Sequence, residues 1–191
     1  MTTFTIIGTG NMGKAIGGIL ADGGSDVSYV AHDQVGSAPL GDVVVLAVPY
    51  PALASIVDAY GDQLAGRVVV DITNPLNVAT FDSLVVAADG SAAAELQAKL
   101  PAAKVIKAFN TNFAATLASR KVGDRVTTVL IAGDDDASKR TLADALTAGG
   151  VRAIDAGSLA RARELESVGF LQITLAAGEK IPWTGGFGVL A

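Results

Sequence analysis

Short, almost uninterrupted apolar segments constrain the fold of this chain most strongly. Residues 43–48 read Val-Val-Val-Leu-Ala-Val and residues 68–72 read Val-Val-Val-Asp-Ile, with little alternation of polar and apolar side chains. Strands of this kind are buried on both faces, as in a parallel sheet that is covered by helices. Because helical patterns alternate with them over short links, the sequence predicts an α/β fold with a doubly wound, mostly parallel sheet.

The other elements follow from further apolar runs and from the turn residues that bound them. Strands are predicted at residues 4–7, 26–30, 42–48, 68–72, 104–109, 125–132 and 151–155. Helices are predicted at residues 11–21, 51–60, 91–100, 136–148 and 158–179. A chain of 191 residues is long enough to bury a core of this type as one domain.

High overall hydrophobicity raises the alternative of a membrane protein, since 50% of the residues are hydrophobic and the mean hydropathy is +0.45. A membrane-spanning helix needs about 20 apolar residues, whereas the apolar run at residues 43–57 contains Pro49 and Pro51. The first residues carry no cationic lead of the kind that opens a signal peptide. We therefore expect a cytoplasmic protein without a membrane partner.

Composition also excludes several kinds of chemistry. The chain has no cysteine and one histidine, so we expect no disulfide, no thiolate nucleophile and no metal site. The net charge of −5 and the pI of about 4.7 argue against a nucleic-acid partner, because no basic stripe exists to neutralise phosphates. The expected partner is a small molecule.

A glycine-rich turn between the first strand and the first helix is the clearest functional motif. Residues 8–13 read Gly-Thr-Gly-Asn-Met-Gly, which matches the GxGxxG pattern of dinucleotide-binding turns. In that pattern Gly8 permits the tight turn, Gly10 lets a pyrophosphate approach the backbone, and Gly13 permits close packing of helix on strand. The free N–H groups of the helix N-terminus would bind the anion. This context predicts a Rossmann-type dinucleotide site.

The end of the second strand should select between NAD and NADP. An acidic residue about 20 positions after the glycine motif binds the ribose 2′-hydroxyl of NAD, whereas a cation accepts the 2′-phosphate of NADP. Asp33 has this spacing but lies beyond the strand, and His32 beside it could hold a phosphate. No arginine occurs between Lys14 and Arg67. The spacing alone leaves the choice open.

Three further segments, residues 48–51, 73–77 and 108–112, each follow an apolar strand. Ligands of open α/β sheets bind beyond the carboxyl ends of the strands, so we expect these segments to line one cleft. Their asparagines, among them Asn74, could contact the nicotinamide amide or a ribose, or could be ordinary turn residues. Tyr50 could stack on a ligand or cap the core.

A family resemblance rests on five motifs that occur in order along the chain. They are GTGNMG at residues 8–13, AVPYPAL at 47–53, DITNPLN at 71–77, KAFNT at 107–111 and DAGSLARARELE at 155–166. Together they resemble the NADP oxidoreductase, coenzyme F420-dependent family, and the same module is similar to the reductase domain of STEAP ferric reductases. The resemblance extends from Thr3 to Phe187.

The resemblance implies a domain that prefers NADP(H), with NAD(H) as the alternative, and that transfers a hydride to or from an acceptor against the nicotinamide. By the family pattern, the residues at the pyrophosphate and its neighbouring groups are Thr9, Gly10, Asn11 and Met12. Those at the adenosine and ribose are Ala47, Val48 and Pro49. Those at the nicotinamide are Ala108, Phe109 and Asn110.

Two departures from the family pattern bear on the ligands. Members usually carry Ser-Arg or a lysine just after the second strand, where this chain has Ala31 and His32, so the preference for NADP rests on the rest of the resemblance. The segment that follows is shorter than in F420-reducing members, which bears on F420 itself as the acceptor.

The C-terminal part should concern the acceptor. Residues 1–157 are predicted to form the NADP(H)-binding domain, and residues 158–191 a helix and tail that complete the substrate side or a dimer interface. Trp183 and Phe187, together with Tyr50, are candidates for the substrate side, because flat aromatic rings suit a planar conjugated acceptor.

At the head of the last predicted helix, the i,i+3 spacing predicts two ion pairs. These pairs are Arg161–Glu164 and Arg163–Glu166. They would lie at the surface or orient a substrate.

The sequence thus predicts a homodimeric oxidoreductase that transfers a hydride between NADP(H) and a small F420-, flavin- or quinone-like acceptor. No catalytic residue is assigned, since such acceptors do not require a protein acid as strictly as a carbonyl does. The alternative is a non-catalytic NADP(H)-binding sensor or regulatory module.

Overall fold

The computed structural model describes residues 1–190, in which strands and helices alternate. The strands are β1 (Thr3–Ile7), β2 (Asp26–Val30), β3 (Val43–Leu46), β4 (Val68–Asp71), β5 (Lys104–Lys107), β6 (Lys121–Val122), β7 (Arg125–Val126), β8 (Thr128–Gly133) and β9 (Arg152–Gly157). The helices are α1 (Asn11–Asp22), α2 (Leu53–Tyr60), α3 (Ala92–Lys99), α4 (Ala114–Ser119), α5 (Asp136–Ala148) and α6 (Ala162–Ala177).

The main sheet has seven strands in the order β2-β1-β3-β4-β5-β8-β9. The first five of these strands run parallel, β8 pairs antiparallel with β5, and β9 runs parallel to β8. The chain order reverses at β1, because β2 lies on one side of it and β3 on the other. Such a switch point leaves a crevice at the carboxyl ends of the strands. The predicted doubly wound, mostly parallel sheet with a C-terminal helix is confirmed.

Both faces of the central strands β3, β4 and β5 are largely buried, which explains their nearly continuous apolar runs. Along β3, Val43 and Val45 pack with α1, α4 and α5 in one hydrophobic cluster. The intervening Val44 and Leu46 pack with α2 and α3 in a second cluster on the opposite face. Within residues 1–190, none of the helices combines the length and the apolar composition needed to span a bilayer.

The parallel strands end earlier than the apolar runs predict. Of the predicted strand at residues 104–109, β5 takes up only Lys104–Lys107. Phe109 adopts a φ of 63°, a left-handed conformation that an extended strand does not contain. The residues after β5 therefore form a turn, and this turn reaches the site described below.

The predicted strand at residues 125–132 is divided. Gly123, with a φ of 61°, turns the chain into the hairpin of β6 and β7, so that β8 begins only at Thr128. The sequence pattern does not predict α4, because its six residues are too few to show helical periodicity. Short 3₁₀ turns at Tyr50–Ala52 and Leu159–Arg161 precede α2 and α6, which begin later than predicted.

Close packing of α1 on β1 depends on glycine at position 13, and it gives a test of the fold. A Cβ at Gly13 would overlap the backbone oxygen of Gly8, whereas a Cβ at Gly18 on the same helix would have no atom within 4 Å. Gly13→Ala should therefore lower the free energy of unfolding by about 1–3 kcal/mol through overpacking. The matched Gly18→Ala should raise it by about 0.5–1 kcal/mol through helix propensity. Urea unfolding of both variants measures the difference, and equal stabilities would contradict the packing.

Candidate functional site

A cavity of about 730 Å³ opens at the carboxyl ends of β1, β3, β4 and β5. Its size lies in the range of small-molecule and cofactor sites. The segments that follow these four strands form its floor and sides, and α6 and the C-terminal tail add a further wall. Of the predicted site residues, those that line it are Gly10, Asn11, Met12, Ala47, Val48, Pro49, Tyr50, Asn74, Phe109, Asn110 and Trp183.

The glycine turn joins β1 to α1 at the sheet's switch point. Gly8 has a φ of 117°, and a Cβ there would overlap the backbone oxygen of Ala47 at the end of β3. A Cβ at Gly10 would instead have no atom within 4 Å, so this backbone faces open space. The first turn of α1 has neither a capping side chain nor an acidic residue. Its N–H groups are therefore available to an anion.

The remaining predicted residues do not line the cavity. Gly13 packs against the backbone of Gly8, and Gly8 packs against that of Ala47, which lines the cavity. Ala108 is buried next to Phe109 in the chain, and Thr9 is exposed at the turn. His32 is exposed in a 3₁₀ turn just beyond β2. Phe187 is 43% exposed, and its backbone N–H donates to Oε1 of Gln172 on α6, 2.8 Å away.

The ends of β4 and β5 are joined by their asparagine side chains. Asn74 Nδ2 donates to the Asn110 backbone oxygen (2.8 Å), and Asn110 Nδ2 donates to Asn74 Oδ1 (2.9 Å). Asn110 Nδ2 also donates to the Leu165 backbone oxygen of α6, 2.8 Å away. Phe109, directly before Asn110, has a positive φ and is fully buried, and such strained conformations concentrate at functional sites. The arrangement fixes the cavity floor.

The wall formed by α6 and the tail contains residues that the sequence did not identify. Ile173 of α6 and Phe113, just before α4, line the cavity with Trp183. The rings of Phe113 and Trp183 have centroids 4.9 Å apart at an interplanar angle of 53°. Close approach of α6 requires Gly169, where a Cβ would overlap Asn74 Oδ1. The signal available for Phe113 was its place directly after the third strand-end segment.

One of the two predicted ion pairs at the head of α6 is wrong. Arg161 pairs with Glu164 at 3.6 Å, as predicted. Arg163 also pairs with Glu164, at 2.6 Å, rather than with Glu166. Glu166 lies on the inner face of α6 and is 1% exposed, with Oε1 only 2.8 Å from Lys107 Nζ. A tertiary contact has replaced the local one, and burial raises the pKa of the Glu166 carboxyl against the opposing effect of Lys107.

Tyr50 presents a neutral phenol at the mouth of the cavity. Its Oη donates to Oε2 of Glu95 on α3, 2.7 Å away. Burial, and then this hydrogen bond to a carboxylate, raise the pKa of Tyr50 to about 12. None of the residues that line the cavity carries a charged side chain. Among the residues described, no three histidine, cysteine or acidic side chains cluster in a way that could hold a metal ion.

The parallel sheet, the glycine turn at its switch point and the uncharged cavity beyond define a dinucleotide-binding protein of the Rossmann class. The F420-dependent NADP reductase of Methanocaldococcus jannaschii is 33% identical over 172 residues, which cover 87% of this chain and 76% of the relative. This chain belongs to the family of that reductase. The predicted family and the predicted class, an NADP-dependent oxidoreductase, are confirmed at this level.

Further comparisons agree with the fold. Rat metalloreductase STEAP3 is 36% identical over 138 residues, which are 72% of this chain but 26% of STEAP3. A crystal structure described as a candidate F420-dependent NADP reductase of Arthrobacter sp. FB24 has a TM-score of 0.84 and 24% identity, with full coverage of both chains. A hypothetical protein of Sinorhizobium meliloti has a TM-score of 0.70 and 28% identity, covering 84% of this chain and 87% of its own. No protein-family model matches the chain.

The hydrogen bond between Tyr50 and Glu95 gives a titration that can be measured. In wild-type protein, Tyr50 should lose its proton at pH about 12. Glu95→Gln should lower this pKa, because the carboxylate that disfavours phenolate is gone, while burial keeps the pKa above 10. Ultraviolet difference titration against Tyr50→Phe isolates this tyrosine from the others. A wild-type pKa no higher than that of Glu95→Gln would show that the bond does not form.

Proposed function

We propose that this protein transfers a hydride between NADP(H) and a small redox acceptor of the F420, flavin or quinone type. The observation that carries the proposal is the open backbone at Gly10, set at an uncapped helix N-terminus and facing a cavity at the sheet's switch point. Sequence similarity to an F420-dependent NADP reductase supports the choice of cofactor and reaction.

The residues at the cavity fit a nicotinamide dinucleotide. A Cβ at Gly10 would have no atom within 4 Å. The space beside this backbone is therefore open, and a pyrophosphate can approach residues 9–12. Residues 47–49 would hold the adenosine and ribose side, and residues 108–110 the nicotinamide. Asn110 Oδ1 is a buried acceptor with no hydrogen-bond partner among the described residues, and both protons of its Nδ2 are engaged. This oxygen would accept a hydrogen bond from the carboxamide N–H of a nicotinamide ring.

Bound NADP(H) would supply the hydride, and the chain would supply orientation and a shaped, largely apolar space. The locked asparagine pair and Phe109 would hold the nicotinamide side. Met12, Ile173 and the Phe113–Trp183 pair would pack on the acceptor and exclude water. The titratable side chain in the cavity lining is Tyr50, whose hydroxyl already donates to Glu95, so the chain offers no free proton donor for a carbonyl. This favours a planar redox carrier as the acceptor.

In this proposal residues 1–157 bind the cofactor, and the part of the chain from residue 158 completes the acceptor side through Ile173 and Trp183. Phe187 is assigned a supporting role, because its backbone ties the tail to α6 through Gln172. The homodimer and the cytoplasmic location stay predictions from the sequence.

Binding and turnover test the proposal together. Trp183 is the chain's single tryptophan and lies at the cavity, so NADPH should quench its fluorescence by energy transfer. Gly10→Ala should keep the wild-type melting temperature but weaken NADPH binding by about tenfold or more, equivalent to roughly 1.4 kcal/mol. Gly18→Ala, exposed on the same helix, is the matched control and should bind as the wild type does.

Turnover separates the enzyme from its alternative. Oxidation of NADPH with F420, FMN, a quinone or ferric citrate supports the reductase and identifies the acceptor. Tight binding with no turnover across this panel favours a sensor or regulatory module, which the absence of charged side chains from the cavity lining would also allow. Absence of NADPH binding by the wild type would refute both.

The choice between NADP and NAD is assigned to His32, which lies just beyond β2, where the 2′-phosphate is expected. His32→Ala should weaken NADPH binding by about three- to tenfold, through loss of a hydrogen bond to phosphate worth roughly 1 kcal/mol, and leave NADH binding unchanged. Calorimetric titration of the variant and the wild type with both cofactors measures the effect. Equal losses for NADPH and NADH would remove His32 from this role.

A further inference from the structure

A buried group of three charged side chains lies directly behind the cavity. Lys107, Asp71 and Glu166 have side chains that are 0%, 0% and 1% exposed. Lys107 Nζ donates to Asp71 Oδ2 (2.9 Å) and to the Thr73 backbone oxygen (2.6 Å), and it pairs with Glu166 Oε1 (2.8 Å). Three oxygens therefore lie within 3 Å of the ammonium nitrogen. We call these three side chains the buried charge network.

The other ends of both carboxylates are also engaged by backbone. Asp71 Oδ1 accepts the N–H of Thr73 at 2.8 Å. Glu166 Oε2 accepts the N–H of Ala92 at 2.9 Å, at the first turn of α3, and its Oε1 accepts that of Ala93 at 3.3 Å. The network thus joins β4, β5, α3 and α6 through defined atoms.

Stability alone does not account for such a group. Buried ion pairs lose hydration on folding, and apolar residues of similar volume often serve a core as well or better. Fixed directional bonds are what charges add over methyl groups. The segments that these bonds fix belong to the cavity.

Two contacts connect the network to the site. Thr73, held through both its N–H and its carbonyl, lines the cavity next to Asn74, which is bonded to Asn110. On α6, Gly169 follows Glu166 by one turn and packs on the same asparagine pair, and Ile173 follows by two turns and lines the cavity. Lys107 therefore ties the cavity floor to the cavity wall.

The geometry points to Lys107 as a positioning residue for hydride transfer, acting through Thr73 and Glu166 to hold the nicotinamide side at a set distance from the acceptor side. This inference rests on the proposed function. Because hydride transfer requires the reacting atoms in close, aligned contact, a displacement of the wall by about 1 Å slows such a step by roughly 100-fold. The adenosine side of the site, proposed at residues 47–49 after β3 and at His32 after β2, makes no hydrogen bond with the network and should be unaffected.

The test removes all three charges together, so that no buried charge is left without a partner. The triple variant Asp71→Asn, Lys107→Met, Glu166→Gln should melt within a few degrees of the wild type. Its affinity for adenosine 2′,5′-bisphosphate, followed by calorimetry, should stay unchanged. The ratio of the affinity for NADPH to the affinity for this fragment, which we call the NADPH advantage, should fall about tenfold or more. With whichever acceptor the wild type turns over, kcat should fall about 10–100-fold.

Matched variants separate positioning from folding. Glu164→Gln, on the exposed face of α6, should behave as the wild type in every measurement. If the triple variant does not fold, Glu166→Gln alone should still show the reduced NADPH advantage with unchanged fragment affinity. A folded triple variant, or a folded Glu166→Gln, with wild-type NADPH advantage and kcat would overturn the inference and leave the proposed function intact. Failure of the wild type to bind NADPH would overturn both.

Discussion

The burial of both faces of the central strands is the constraint on which the rest of this structure depends. Strands such as β3 have no polar side to offer, because alternate residues enter two different hydrophobic clusters. Helices therefore cover the sheet, and polar groups that are to meet a ligand can accumulate only where the strands end. Thr73, Asn74 and Asn110 lie at such ends. The place of the cavity is thus a consequence of how the core is built.

The same constraint shapes the electrostatics of the site. The cavity lining carries no charged side chain, while Asp71, Lys107 and Glu166 lie buried behind it. An anion would be met by backbone N–H groups at Gly10 and the start of α1 rather than by arginine or lysine. In surroundings of low polarity, such fixed dipoles interact with a charge more strongly than they would in water. Tyr50 at the mouth, with its pKa raised to about 12, adds no charge over the physiological range.

Much of the fold could be predicted because local signals and tertiary structure agree. β2 and α5 have the predicted bounds, and α1 ends one residue beyond its predicted end. Apolar runs overestimated strand length where the backbone turns for reasons that the run does not contain. The left-handed turn at Phe109 is an example, since burial of the ring shows in the sequence but its φ does not.

The site could be predicted in part for a similar reason. Segments that follow strands are easy to locate, so the cavity floor is found from the sequence. The wall is not, because α6 could have turned several faces inward. Spacing pairs Glu166 with Arg163, and only the three-dimensional packing shows that it meets Lys107. A strand buried on both faces likewise gives no indication of which layer Lys107 enters.

The reversal of direction between β5 and β8 has a consequence for where this protein can carry a label. Leu159, just before α6, donates its N–H to Asp134. Asp134 follows β8 and lies at the end of the sheet where the parallel strands begin. From there α6 runs towards the carboxyl ends of the parallel strands, where Ile173 and Trp183 border the cavity. Thr3, the first residue of β1, lies at the end of the sheet that is away from the cavity. A bulky label attached within residues 183–187 would thus stand beside the cavity, whereas one attached at the start of β1 would leave the cavity entrance clear.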